Sequence, residues 1–168
     1  MIVRHHQSLV EQSEAHYSDC ELYRYLLRRR WGEGPLWLFV MLNPSTATEL
    51  ANDPTVARCQ TRAMRGGAGA MSVCNLFALR STDPKALRRV DDPVGLANDA
   101  LIAAEVLRAD QVICAWGADP AIGERGRQVL ALIRASGRQP LALQLNRDGS
   151  PKHPLYVAYA AAPSPMPG

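Results

Sequence analysis

Apolar residues along the chain fall into two alternating textures. Leu36 to Leu42 is an unbroken apolar run of strand length, and Ala70–Leu79, Gln111–Trp116 and Leu141–Leu145 hold three more. Such runs suit strands buried on both faces. Between them lie helical patterns. Asp53-Pro54 predicts a helix start, because Asp caps and Pro suits the first turn, and Gly66-Gly67 stops that helix after Arg65. Asp92-Pro93 predicts a second start, with Leu96, Ala100, Ala103, Ala104 and Leu107 on one face. A third helix spans Glu124 to Ser136, with Val129, Leu132 and Ile133 apolar and Gly137 behind it.

Glu21 to Arg30 reads as an extended strand, followed by a turn at 31–35. The alternation predicts an α/β protein of three layers, α/β/α. Its core would be a mostly parallel four-stranded sheet with an antiparallel N-terminal strand at one edge. Residues 1–20 lack clear periodicity and read as an N-terminal arm. Residues 21–157 form the single α/β domain, and 158–168 an Ala/Pro-rich, poorly ordered tail.

At 168 residues, 47% hydrophobic and 21% charged, the chain suits one globular domain with a real core. No apolar run approaches the ~18 residues that span a bilayer, and because Met1 to Glu14 holds no long apolar stretch a secretion signal is not expected there. The four cysteines, Cys20, Cys59, Cys74 and Cys114, include no CxxC pair, so neither a zinc or iron–sulfur site nor a disulfide framework is expected. The expectation is a soluble cytoplasmic protein without membrane partner, metal or cofactor. The net charge of +3 comes with 17 Arg and only 2 Lys. Arg suits bidentate phosphate contacts, although GC-rich coding produces the same bias. Charge therefore permits a nucleic-acid partner without requiring one.

In a parallel sheet, ligands bind beyond the carboxyl ends of the strands. Asn43-Pro44-Ser45-Thr46 follows the first core strand, Asn75-Leu76-Phe77 and Arg80-Ser81-Thr82 the second, and Trp116-Gly117 the third. Lys152-His153-Pro154 lies beyond the fourth. Polar and aromatic specialists thus gather at one rim, and each has two readings. Asn43 could orient a water beside N–H groups that receive an anion, or open a turn in which Thr46 and Glu49 form a capping box. The Asn75 amide could read the donor and acceptor edge of a flat heterocycle, or merely end a strand. Phe77 and Trp116 could stack on such a ring or fill the core. His153 could donate to developing negative charge. Arg80 could clamp a phosphate. The chain holds no GxGxxG, Walker or GxSxG motif.

In order and spacing, Met41 to Ala47, Asp53-Pro54-Thr55, Cys59, Asn75 to Ala78, Asp83-Pro84, Asn98-Asp99, Trp116-Gly117 and His153 to Tyr156 closely resemble the domain-of-unknown-function family numbered 1643. More distantly, the same order is similar to the uracil-DNA glycosylase superfamily. There a Gly-x-Asn-Pro-Gly-like loop follows the first core strand, an Asn after a middle strand reads the base, and a late His-Pro-Ser loop supplies a catalytic His. The departures are Met41 and Ser45 in place of the loop glycines, and Leu155 in place of the phosphate-binding serine.

That resemblance implies a glycosylase-like fold and a base N-glycosylase acting on a modified or damaged base in nucleic acid, DNA being favoured. Asn43 and His153 would be catalytic. Asn75, Phe77, Pro44, Ser45 and Trp116 would hold the base, and Arg80, Lys152 and Thr46 the phosphates. Two alternatives accompany it. One is hydrolysis of a free nucleoside or nucleotide. The other is a non-catalytic module that binds nucleic acid or a small nucleotide-like ligand.

Overall fold

The computed structural model describes all 168 residues. It is an α/β fold built on one mixed sheet of eight strands with three α-helices. In chain order the strands are β1 (Ile2–Gln7), β2 (Gln12–Tyr17), β3 (Arg24–Arg30), β4 (Leu36–Met41), β5 (Ala70–Asn75), β6 (Gln111–Cys114), β7 (Pro140–Ala142) and β8 (Ser164–Pro165). The helices are α1 (Pro54–Arg65), α2 (Asn98–Arg108) and α3 (Arg125–Ala135). The strand order is β1-β2-β3-β5-β4-β6-β7-β8. Pairs β4·β5, β4·β6 and β6·β7 are parallel and the others antiparallel.

Alternate residues of the central strands feed two cores. Trp37, Phe39 and Met41 pack with Val56, Cys59 and Ala63 of α1. Leu38 and Val40 pack on the other face with Ile102 and Val106 of α2 and Val129 and Ile133 of α3. The sheet is therefore covered on both faces, which is why β4 and β5 are apolar along nearly their whole length. The path β4–α1–β5 moves one way along the sheet, and α2 then carries the chain back past β4 to β6. The order reverses beside β4, and ligand crevices form outside the carboxyl ends of the strands at such a reversal.

Four expectations are corrected. Residues 1–20 are not an unpatterned arm: β1 and β2 form a hairpin in which Ser13, Ala15 and Tyr17 are buried at period two. The strand expected at the edge is interior, because β2 covers its other side. The tail returns to the sheet, where β8 pairs antiparallel with β7 and Met166 is buried. The second helix begins at Asn98 rather than at Pro93, because Asp92 turns back to accept from the Val94 and Gly95 N–H groups. Its buried face is Asn98, Ile102, Glu105 and Val106, whereas Leu96 is 98% exposed.

Candidate functional site

β4 ends at Met41, opposite Asn75 at the end of β5. The pairing continues past both ends through Leu76 N–H to Met41 O (2.8 Å) and Phe77 N–H to Leu42 O (3.0 Å). The chain then runs irregularly to Asp53. No helix forms at Thr46, so the Thr46–Glu49 capping box does not exist; Glu49 is buried and accepts from the Tyr17 hydroxyl at 2.8 Å. The Asn43 side chain stitches the loops after β4 and β5 together, its Nδ2 donating to Pro44 O (3.1 Å) and Ser81 O (2.9 Å). Its Oδ1 is left without a protein donor.

Asn75 is 1% exposed, yet neither atom of its amide has a hydrogen-bond partner in the protein. Buried side-chain amides are normally satisfied, and leaving one unpaired costs about 1–3 kcal/mol. Its backbone, by contrast, is pinned. The Nδ2 of the fully buried Asn98 donates to Asn75 O (3.0 Å) and Leu76 O (3.2 Å), and Arg125 Nε donates to Leu76 O (2.8 Å).

His153 arrives from beyond β7. Its Nδ1 accepts the Leu155 N–H (3.2 Å), capping a short 3-10 turn over Pro154–Tyr156. A neutral ring that accepts at Nδ1 carries its proton on Nε2. Burial holds the imidazole below its ordinary 6.5, against the opposing charge of Asp53. At neutral pH the residue is therefore an uncharged donor. Gly117, at the end of β6, adopts φ +80°, a left-handed conformation that favours glycine, and lies beside the His153 Cβ, where an added Cβ would make ordinary contact at 3.7 Å. From the other side Arg58 donates to Pro154 O (2.9 Å) and Val157 O (2.8 Å).

These three residues line one cavity of about 200 Å³, with Pro44 and Ser45 also in its wall. Drug-sized ligands occupy ~300–1,000 Å³, so this volume suits a single ring or a compact group. The remaining expected residues lie elsewhere. Phe77 and Trp116 are buried in the core under α2 and α3. Arg80 donates to Glu21 O (3.1 Å) and stands over the Tyr17 ring, 5.1 Å from its centroid. Thr46 and Lys152 are not in the wall.

Sequence reasoning missed Arg24 and Thr55, which the cavity wall includes. Arg24 sits at the start of a strand with three further arginines, and only tertiary placement separates it from them. Burial presses the Cys59 thiol up to about 12, and those of Cys74 and Cys114 still higher, so none of the three supplies a thiolate at neutral pH. No group of three or more His, Cys, Asp or Glu is placed to hold a metal ion.

A second cavity, of about 180 Å³, lies by the start of β4 and β5. Its charges are already paired with one another: Arg28 meets Glu105 and Glu14, and Ser72 also reaches Glu105. It holds no orphaned donor comparable to Asn75.

Residues 24–155, well over half of the chain, match the family described as "Protein of unknown function (DUF1643)". The chain belongs to that family. The DUF1643 match spans Asn43, Asn75 and His153, but excludes β1, β2 and β8. No curated protein and no solved structure matches this DUF1643 chain. No helix is long and apolar enough to cross a membrane.

Proposed function

We propose that the cavity receives a nucleobase and that the protein is an N-glycosylase, excising a modified or damaged base from nucleic acid. The observation that carries this reading is Asn75, a buried amide whose donor and acceptor both lack protein partners beside an open cavity. A heterocycle with an adjacent donor and acceptor satisfies both at once. The order of motifs, which resembles that of the uracil-DNA glycosylase superfamily, points the same way.

In the reaction, a base turned out of the stack enters the cavity and pairs with Asn75. A water adds its oxygen to the sugar C1′ as the glycosidic C–N bond breaks, and the bonding electrons leave with the base. His153 Nε2–H, uncharged before the reaction, donates to that developing negative charge. Asn43, held by its Nδ2 on two carbonyls, accepts a hydrogen bond from the water at Oδ1 and orients it, and the water's first proton stays on the new sugar hydroxyl. The water's second proton ends on the base, giving free base and an abasic sugar. Tyr156, three residues from His153 and 76% exposed, offers a stacking face outside the cavity. Arg80, Lys152 and Thr46 remain for contacts with the strand.

The test is release of free base, detected by mass spectrometry, from single- and double-stranded oligonucleotides carrying a panel of modified bases. Free nucleosides and nucleotides are run beside them. Base release by the wild type, lost in His153→Ala, supports the reading. Release only from free nucleosides or nucleotides moves the same chemistry to a small substrate. Binding without release leaves a non-catalytic module.

A further inference from the structure

Arg24 is 99% buried by residue surface, with 1% exposed, and lines the cavity. Its one hydrogen bond runs from Nη1 to Ala47 O (2.7 Å), its Nε has no partner, and no carboxylate lies within salt-bridge reach. The other buried arginines are more fully engaged, although Arg62 also has an unpartnered Nε and no carboxylate. Arg29 pairs with Glu11 and Asn52, Arg125 with Asp99, and Arg62 with the carbonyls of Val157, Ala158 and Ala161. A buried guanidinium without a close counter-ion is costly unless something supplies the charge.

The same wall holds the first turn of α1, which has no acidic residue of its own. Pro54 has no N–H, and the Val56 N–H is capped by Asp53 Oδ1 (2.8 Å). The Thr55 N–H remains, at the positive end of a 12-residue helix. Asp53 is the one carboxylate in the wall. Its Oδ1 is taken by Val56 and its Oδ2 faces the Ala47 N–H (3.4 Å), so both oxygens are turned to backbone donors. The Asn75 amide, buried and unpartnered, lines the same cavity. Burial brings Arg24 down to about 10, with Asp53 and Tyr17 opposing the fall and Arg80 and Arg29 adding to it. The guanidinium is still charged at neutral pH.

We infer that Arg24 and the Thr55 N–H form an oxyanion subsite within the cavity, which takes a phosphoryl group of the nucleotide and leaves the Asn75 amide to the base. This rests on the cavity being the ligand site proposed above and names a part of that ligand. The phosphoryl group is either the terminal monoester of a free nucleotide or a diester of a strand. Arg24 contributes charge-assisted donors, and the helix N-terminus a backbone donor and a favourable dipole.

The test titrates wild-type protein with inorganic phosphate at matched ionic strength, reading both melting temperature and 31P line width. Parallel arms use a nucleoside, its 5′-monophosphate and a short single-stranded oligonucleotide. The expected result is saturable stabilisation by phosphate beyond that of chloride. Arg24→Met should weaken it about tenfold or more, the worth of a charge-assisted hydrogen bond.

Because Arg24→Met also loses the tie to Ala47, Thr55→Pro is a second variant. It removes the Thr55 N–H and side chain and strains the helical conformation of the preceding Pro54, so its unliganded melting temperature is read first; in the folded variant phosphate binding should be weaker. Tighter binding of the monophosphate than of phosphate assigns the subsite to a free nucleotide. Competition by the oligonucleotide alone assigns it to a strand.

No response of the wild type to phosphate, monophosphate or oligonucleotide overturns the subsite. So does an unchanged phosphate response in folded Arg24→Met. A nucleoside response without a phosphate response overturns the subsite and leaves the base-binding reading standing. A phosphate response without any nucleoside or base response supports the subsite and removes the base-binding reading.

Discussion

Asn98 donates its side-chain Nδ2 to the main-chain oxygen of Asn75 at 3.0 Å. The bond holds the backbone of the cavity-lining asparagine from the α2 side of the sheet, while the Asn75 side chain is left unspent. A rigid backbone under an unpartnered amide is the arrangement of a group pre-organised for a ligand. Asn98→Leu removes both of its donor bonds, taking the side-chain donor from Asn75 O and leaving Leu76 O with Arg125 alone. It should destabilise the fold by about 2–3 kcal/mol, measured as a lower urea midpoint at unchanged slope. Where the variant is still fully folded, its base recognition should weaken as well.

For His153 the structural and chemical contributions separate by size. Losing the cap on the Leu155 N–H costs about 1 kcal/mol of stability. Losing the donor to the leaving base should lower the single-turnover rate by about 10²–10³. His153→Ala therefore should melt only slightly lower than wild type and react far more slowly.

The pH dependence follows from the same residue. The folded state holds His153 below 6.5, so the unfolded chain binds the proton more readily. Its contribution to stability is complete above that value and is lost as pH falls through the window below 6.5. Protonation also removes the Nδ1 acceptor that caps Leu155. The acid limb of the rate profile should therefore lie below pH 6.5 and should be missing from His153→Gln, as measured by single-turnover rates across pH.

Asn43 is more of a fastener than its place in the motif implies. With Nδ2 on Pro44 O and Ser81 O, Asn43→Ala unties two loops, whereas Asn43→Asp sets a carboxylate against two carbonyl oxygens. The aspartate should be the worse for stability and the alanine the milder. Both should reduce turnover more than binding if the freed Oδ1 orients water. Thermal melts beside separate binding and rate measurements check the order.

What was legible in the sequence follows physical causes. Continuous apolar runs revealed β4, β5 and β6, because strands covered on both faces need no alternation. Asp53-Pro54 marked the start of α1, since the cap and the fixed φ are local. The N-terminal hairpin was hidden because its buried period-two face is Ser13, Ala15 and Tyr17, only weakly apolar, and β1 is almost wholly exposed. The face of α2 was misread because two of its buried positions are Asn98 and Glu105, polar groups whose hydrogen bonds run to partners far along the chain, with Asn98 Oδ1 left unpartnered. Asn43, Asn75 and His153 were legible because strand-end loops converge on one rim. Arg24 was not, since nothing local distinguishes a buried arginine from a solvated one.

The hairpin reaches the loop that follows β4. Tyr17 donates to the buried Glu49 carboxylate at 2.8 Å, and burial together with that bond raises Tyr17 to about 12. Tyr17→Phe leaves the carboxylate without this donor and should cost about 1–3 kcal/mol. A matching loss in the Glu49→Gln background should be smaller, a coupling that a double-mutant cycle reads directly.

The central claim is that the Asn75 amide is kept for a ligand and not for the fold. Asn75→Leu tests it in one differential measurement, the change in melting temperature on adding a cleavable or binding oligonucleotide, wild type against variant. An apolar side chain of similar size relieves an unpaired buried amide. The account therefore predicts an unliganded variant as stable as wild type or more so, with the ligand-induced shift abolished. A variant that melts well below wild type without ligand, or that keeps the full ligand-induced shift, would contradict it.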